Sequence, residues 1–147
     1  MSRDIASEFV GAWRLVSYSA VTSGGEMFYP MGPDARGSIV YDAGGRMAVQ
    51  LGDPGRAAFA SGDPGAATDS EVRAAFDGYL AYFGTYTVDA GRGAVVHHLE
   101  MSLDPNWIGG DQVRYFDLRG DRLTLKSPPM LVGGVERLLT VVWERLP

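Results

Sequence analysis

The chain has no cysteine. Disulfide staples and thiolate chemistry are therefore excluded, and their absence fits a reducing compartment. It also has no block of like charges, because a formal charge of −5 is spread along 147 residues. Without a basic face there is no footprint for nucleic acid. No apolar run reaches the roughly 20 residues of a membrane-spanning helix. The opening MSRDIASEFVGAW lacks the apolar core of a signal peptide. No membrane partner and a cytoplasmic location are the expectations. Gly-rich phosphate cradles, a Gly-x-Ser-x-Gly elbow, zinc signatures and EF-hand loops are all missing, so neither cofactor nor metal is expected. Histidine is scarce too, with two residues side by side, His97 and His98.

What is present is apolar and rich in turns. Apolar residues make up 46% of the chain, with 20 glycines and 8 prolines. That composition suits one globular domain, residues 1–147, built of short strands. Asp4–Phe9 reads as a helical turn leading into a strand over Phe9–Ala20. Trp13, Leu15 and Ser17 share one face of it, and Arg14, Val16 and Tyr18 share the other. Gly37–Asp42 and Arg46–Leu51 flank the Ala43-Gly44-Gly45 turn as a hairpin. Further strands read over Thr85–Val88, Ala94–Leu103, Gln112–Leu118, Arg122–Lys126 and Val135–Arg145. Eight antiparallel strands around one core close into a barrel wide enough for a small ligand.

One segment reads as a strong helix. Thr68 is a good N-cap, and Glu71 three residues later completes a capping box. Val72, Ala75, Phe76, Tyr79, Leu80 and Phe83 recur at helical spacing, and Gly84 offers a stop. The spacing predicts a helix over Thr68–Phe83, packed on the sheet between early strands.

Four blocks in this order resemble a known family: YPMGPDARGSIVYDAGGRMAVQL, FDGYLAYFGTYTVD, VVHHLEMSLDPNWIGGDQVRYF and ERLLTVVWER. The opening GAWRLVSYSA is similar to the Gly-x-Trp start of the calycin superfamily. From Gly11 to Arg145 the chain resembles the bacterial and fungal lipocalin-like domain proteins. The resemblance implies an up-and-down barrel with a closed base and an open mouth. It places Gly11 and Trp13 at the base and sets Arg145 against the Trp13 indole, all three as structural residues. A helix between early strands departs from the lipocalin pattern, in which the main helix follows the last strand.

The candidate site residues cluster in Gly93–Arg114. Adjacent strand residues point to opposite faces, so only one of His97 and His98 enters the barrel, and a His-His chelate is excluded. The face with Val95, His97, Leu99, Met101 and Leu103 is the more apolar, which favours His97 inward. The opposite choice would line the cavity with His98, Glu100 and Ser102. Arg114, if inward, would grip a carboxylate or enolate by two parallel bonds. If outward, as arginines usually are, it is solvated or pairs with Glu100. Tyr41, Tyr86 and Tyr115 are strand tyrosines able to fill the core or offer hydroxyls. The Asp104-Pro105-Asn106-Trp107 turn should lie at a rim, with Trp107 either capping the mouth over a ligand or bracing the turn.

The ligand-binding candidates are therefore His97, Tyr41, Tyr115, Met101, Trp107 and Arg114. The first functional expectation is binding of a small apolar or amphipathic molecule in the barrel. A cyclase or isomerase of a polyketide-like molecule is the alternative, using His97, His98 or Arg114 in acid–base catalysis. A protein-interaction module or homo-oligomer is the third.

Overall fold

Alternating sequence becomes strand from end to end in the computed structural model, which describes residues 4–147. Residues 1–3 of the expected 1–147 unit lie outside the described residues. A short helix, α1 (Ile5–Phe9), is capped by the Asp4 carboxylate and leads into β1 (Gly11–Thr22). Then come β2 (Met27–Phe28), β3 (Arg36–Tyr41), β4 (Arg46–Gly52), α2 (Asp69–Asp77) and β5 (Tyr79–Asp89). The chain ends with β6 (Ala94–Ser102), β7 (Asp111–Arg119), β8 (Arg122–Lys126), β9 (Met130–Val132) and β10 (Val135–Arg145).

The sheet runs β2-β1-β3-β4-β5-β6-β7-β8-β10-β9, and β1 also pairs with β10. Eight antiparallel strands thus form the closed, all-β barrel expected, while β2 and β9 are short additions to β1 and β10. Closure leaves no edge along these eight strands to pair with another chain.

The connections differ at the two ends. Tight turns join β3 to β4, β5 to β6 and β7 to β8, as at Asp42, whose carboxylate accepts from the Arg46 amide at 2.8 Å. These turns lie with α1 at one end, the base. Every long connection lies at the other end: residues 23–35, 53–78, 103–110 and 127–134. That end is the mouth.

The base is plugged by aromatic rings. Phe9, Trp13 and Tyr41 are fully buried, and Phe9 meets both Tyr41 and Phe116 edge-on. The Trp13 indole donates to the Phe9 carbonyl at 2.9 Å, and the Arg145 guanidinium lies 4.2 Å over its ring. Arg145 also donates to the carbonyls of Val10 at 2.8 Å and Glu8 at 2.6 Å, and to Asp121. Gly11 has φ +138°, and an added Cβ would come within 3.0 Å of the Arg145 guanidinium, so the clamp needs glycine there.

The helix is shorter than the sequence suggests. Its start is as expected, with both halves of the Thr68–Glu71 capping box made. It ends at Asp77 rather than Phe83, and Gly78 caps it. Tyr79–Phe83 instead opens β5, where Leu80, Tyr82, Gly84, Tyr86 and Val88 face inward in period two. The neighbour β4 offers those residues a full ladder, β6 adds pairs at Tyr82 and Phe83, and aromatic residues suit a pleated surface. α2 buries no residue, and Val72 and Phe76 are exposed. Among the described residues no helix is long and apolar enough to cross a membrane.

Two β-bulges decide which side chains enter the barrel. In β1 the register shifts between Leu15 and Ser17, so Tyr18 and Ala20 follow Trp13 and Leu15 inward. Between β5 and β6, Phe83 pairs with Met101 but Gly84 pairs with Leu99, leaving Glu100 as the extra residue. Gly84 permits this kink, because a Cβ there would sit 1.8 Å from the His98 carbonyl oxygen.

Candidate functional site

The interior above the base is aliphatic, with walls from Ile39, Val49, Leu51, Leu125, Leu139 and Val141. It encloses a cavity of about 40 Å³, bordered also by Tyr18, Tyr82, His97, Arg114 and Trp143. Leu80 and Trp107 stand at its mouth side. A larger hollow of about 430 Å³ lies on the outer surface, between Val40, Ala48, Phe83, Met101 and Leu103. The inner cavity is the candidate site despite its size, since that is where buried polar groups converge.

His97 is at the centre of those groups, with 1% of its surface exposed. Its Nε2 is 2.7 Å from the Tyr41 hydroxyl and its Nδ1 is 2.7 Å from the Tyr82 hydroxyl. A neutral imidazole donates from one nitrogen and accepts at the other. Burial pushes the imidazole down to about 3, with the charges of Arg114 and His98 acting in the same direction. The ring is therefore neutral near pH 7. Tyr41 is fully buried, among Phe9 and Tyr86, and its one hydrogen-bond partner is His97. Tyr82 borders the cavity and Tyr41 does not, so the tautomer that seals no unpaired proton in the core has the Tyr41 O–H donating to Nε2. The Nδ1–H then donates to Tyr82, and the Tyr82 O–H is left to point at the cavity. Burial pushes Tyr82 up to about 12, and Tyr41 well above its ordinary range, so both stay protonated.

Arg114 enters the barrel from β7, opposite Val95, and is 9% exposed. It donates to its neighbour's carbonyl, Val113, at 2.8 Å and to the Gln112 side-chain oxygen at 3.1 Å. Glu100, weighed as its partner on sequence grounds, pairs instead with Arg46 on the outer face. Trp107 sits on a single turn of 3-10 helix, Pro105–Trp107, and its ring meets Tyr82 edge-on at 6.1 Å.

The other candidates lie elsewhere. His98 faces outward, between Asp111 at 2.8 Å and Thr87 at 2.9 Å. Met101 is 52% exposed because the Glu100 bulge turns it out, and it lines the outer hollow. Tyr115 is 44% exposed, since alternation puts it opposite to Arg114. Neither Met101 nor Tyr115 borders the cavity. Three residues that do border it, Tyr18, Tyr82 and Trp143, were not among the candidates. Tyr82 was hidden by assigning Tyr79–Phe83 to the helix, and Tyr18 by the bulge in β1. The signal for Tyr82 was available in the alternation Leu80, Tyr82, Gly84, Tyr86, Val88.

A closed eight-stranded barrel, plugged at the base by Trp13 beneath Arg145, meets a sequence match over residues 10–146 to the lipocalin-like domain. The chain belongs to the lipocalin-like domain family. It is also 34% identical over 108 residues to the 4'-hydroxy-3'-methoxypropiophenone carrier protein of Aspergillus oryzae, covering 69% of this chain and 97% of that one. In this lipocalin-like barrel the polar cluster is a chain of donors, Tyr41 to His97 to Tyr82, with a guanidinium beside it. Both His97 nitrogens are occupied by tyrosine hydroxyls, so a proton taken up by the imidazole would turn the O–H that donates to it into an acceptor.

Proposed function

We propose that this lipocalin-like protein binds a small, largely apolar molecule inside the barrel and carries it shielded from water. The observation that supports this most is the coexistence, in one cavity, of an aliphatic wall with the Trp143 indole N–H, which has no protein partner, and the Arg114 charge, which has no carboxylate partner. A filled structural core has no use for that combination, because each unsatisfied buried polar group costs about 1–3 kcal/mol. The similarity to a protein named as a carrier of a phenolic ketone supports the same reading.

The cavity of about 40 Å³ is far smaller than the roughly 300 Å³ or more of a typical small-molecule site. Loading therefore requires the mouth side to open. Trp107 is the side chain to move, since it sits half-buried on a short turn between two long strands. Titrating the protein with 4'-hydroxy-3'-methoxypropiophenone, and following tryptophan fluorescence, tests this reading. Saturable quenching is expected, and Leu139→Trp, which fills the cavity, should abolish it. Equal, non-saturating quenching in both proteins would mean adsorption to the outer surface and would overturn the proposal.

A further inference from the structure

The polar groups left open in the cavity share one property: all can donate. Arg114 is buried with a full charge, yet both its hydrogen bonds go to neutral acceptors. Among the described residues no carboxylate forms an ion pair with it, whereas Arg14, Arg46, Arg73 and Arg119 on the surface each hold one. The Trp143 side chain is 1% exposed and borders the cavity, and its indole N–H has no partner. The contrast with Trp13, whose N–H is bonded to Phe9, marks this as a local choice and not a habit of the fold. The Tyr82 O–H is free for the reason given above. The acceptors nearby are already used: Gln112 holds Arg114, and both His97 nitrogens hold tyrosines.

A buried cation and two further donors, with no carboxylate to match the charge, form half of a recognition site. We propose that the ligand completes it with an ionised oxygen, a phenolate or enolate conjugated to an apolar body, set against Arg114 with Tyr82 and Trp143 as supporting donors. This deepens the carrier reading and rests on it. The physical reason is compensation. A buried charge without a partner is costly, and an anionic oxygen supplies the partner at a site already cleared of water. A neutral ketone would satisfy the N–H and O–H groups and leave the charge unanswered. Arg114 also raises the potential over the whole cluster, since its charge is felt at Tyr18, Tyr41, Tyr82 and His97.

The test uses two ketones that differ in one methyl group, para-hydroxypropiophenone and para-methoxypropiophenone. Binding is followed by tryptophan quenching, and ionisation by the long-wavelength absorption of the phenolate. For the wild type we expect the phenolate band to grow on binding at neutral pH. The bound phenol should ionise about one pH unit lower, or more, as a nearby opposite charge makes it do. The hydroxy ketone should bind at least about tenfold tighter than its ether. In Arg114→Met the band should vanish and the two affinities converge. Trp143→Phe, which removes only the N–H from a ring of similar shape, should weaken the hydroxy ketone alone and gives a second reading should Arg114→Met not fold. If both ketones bind the wild type equally and no phenolate band appears, the ionised-oxygen site is wrong and the carrier reading survives. If neither ketone binds, both fall together.

Discussion

The barrel contains two buried tryptophan–arginine neighbourhoods, and they are finished differently. At the base, the Trp13 N–H is bonded, Arg145 lies over the ring, and the guanidinium spends its donors on Glu8, Val10 and Asp121. Higher up, the Trp143 N–H has no partner, and Arg114 meets neutral oxygens alone. The same residue types, in the same fold, are closed in one place and open in the other. The closed groups tie the base together, and the open ones are those on which the proposed ligand site rests. The contrast separates stability from recognition without any appeal to where a pocket is widest.

The comparison breaks most easily at the base. Trp13→Ala should cost about 3–5 kcal/mol in denaturant melts, the range for emptying a buried aromatic site. A loss under about 1 kcal/mol would mean that the plug carries no weight. Arg145→Ala should cost about 2–3 kcal/mol, through charge-assisted bonds and the stacked indole. His97 stands between the two regions. His97→Phe strands the Tyr41 hydroxyl and should cost about 1–3 kcal/mol near neutral pH.

The same residue gives a pH signature. His97 is held near 3 in the folded protein, below the ordinary imidazole value of about 6.5. Between those limits the unfolded chain binds the proton and the folded one does not. His97 therefore contributes stability that is fully present above about pH 6.5 and lost progressively as pH falls toward 3. Urea midpoints measured across that window should fall by about a kcal/mol in free energy per pH unit. The slope from this group should be missing in His97→Phe. The smallest effect belongs to the open region. Arg114→Met should leave the stability of the ligand-free protein unchanged or slightly raised, because removing an unanswered buried charge relieves a cost. A loss of more than about 2 kcal/mol would class Arg114 with Arg145 and erase the distinction.

The barrel was legible because its strands and tight turns repeat two simple signals, period-two alternation and turn chemistry at sites such as Asp42–Gly45 and Arg119–Asp121. The start of α2 was legible through Thr68 and Glu71, whose side chains fix it locally. Its end was not. Tyr79, Leu80 and Phe83 fit a helical stripe as well as Leu80 and Tyr82 fit a strand, and only the neighbouring ladders β4 and β6 decide between them. The site suffered for a different reason. One extra residue reverses every later side chain in a strand, and nothing in Val16 or Glu100 announces a bulge. Alternation alone therefore puts Tyr18 outside and Met101 inside, because each lies beyond such a residue. Gly84 did carry a signal, but it was read as a helix stop when its use is to let the His98 carbonyl come close.

The seam between β1 and β10 has a consequence in time. It runs from Trp13 opposite Arg145 to Thr22 opposite Arg137, so the first strand waits for the last. A chain emerging from the ribosome can pair β1 with β2 and β3 and add the strands through β8 in turn, but the other edge of β1 stays open until β10 has been made. During that interval β1 presents a bare ladder edge and the Trp13 ring to its surroundings, a hazard for pairing with other chains. Folding should then be slow for a protein of this length, on the order of milliseconds to seconds, with the seam closing last.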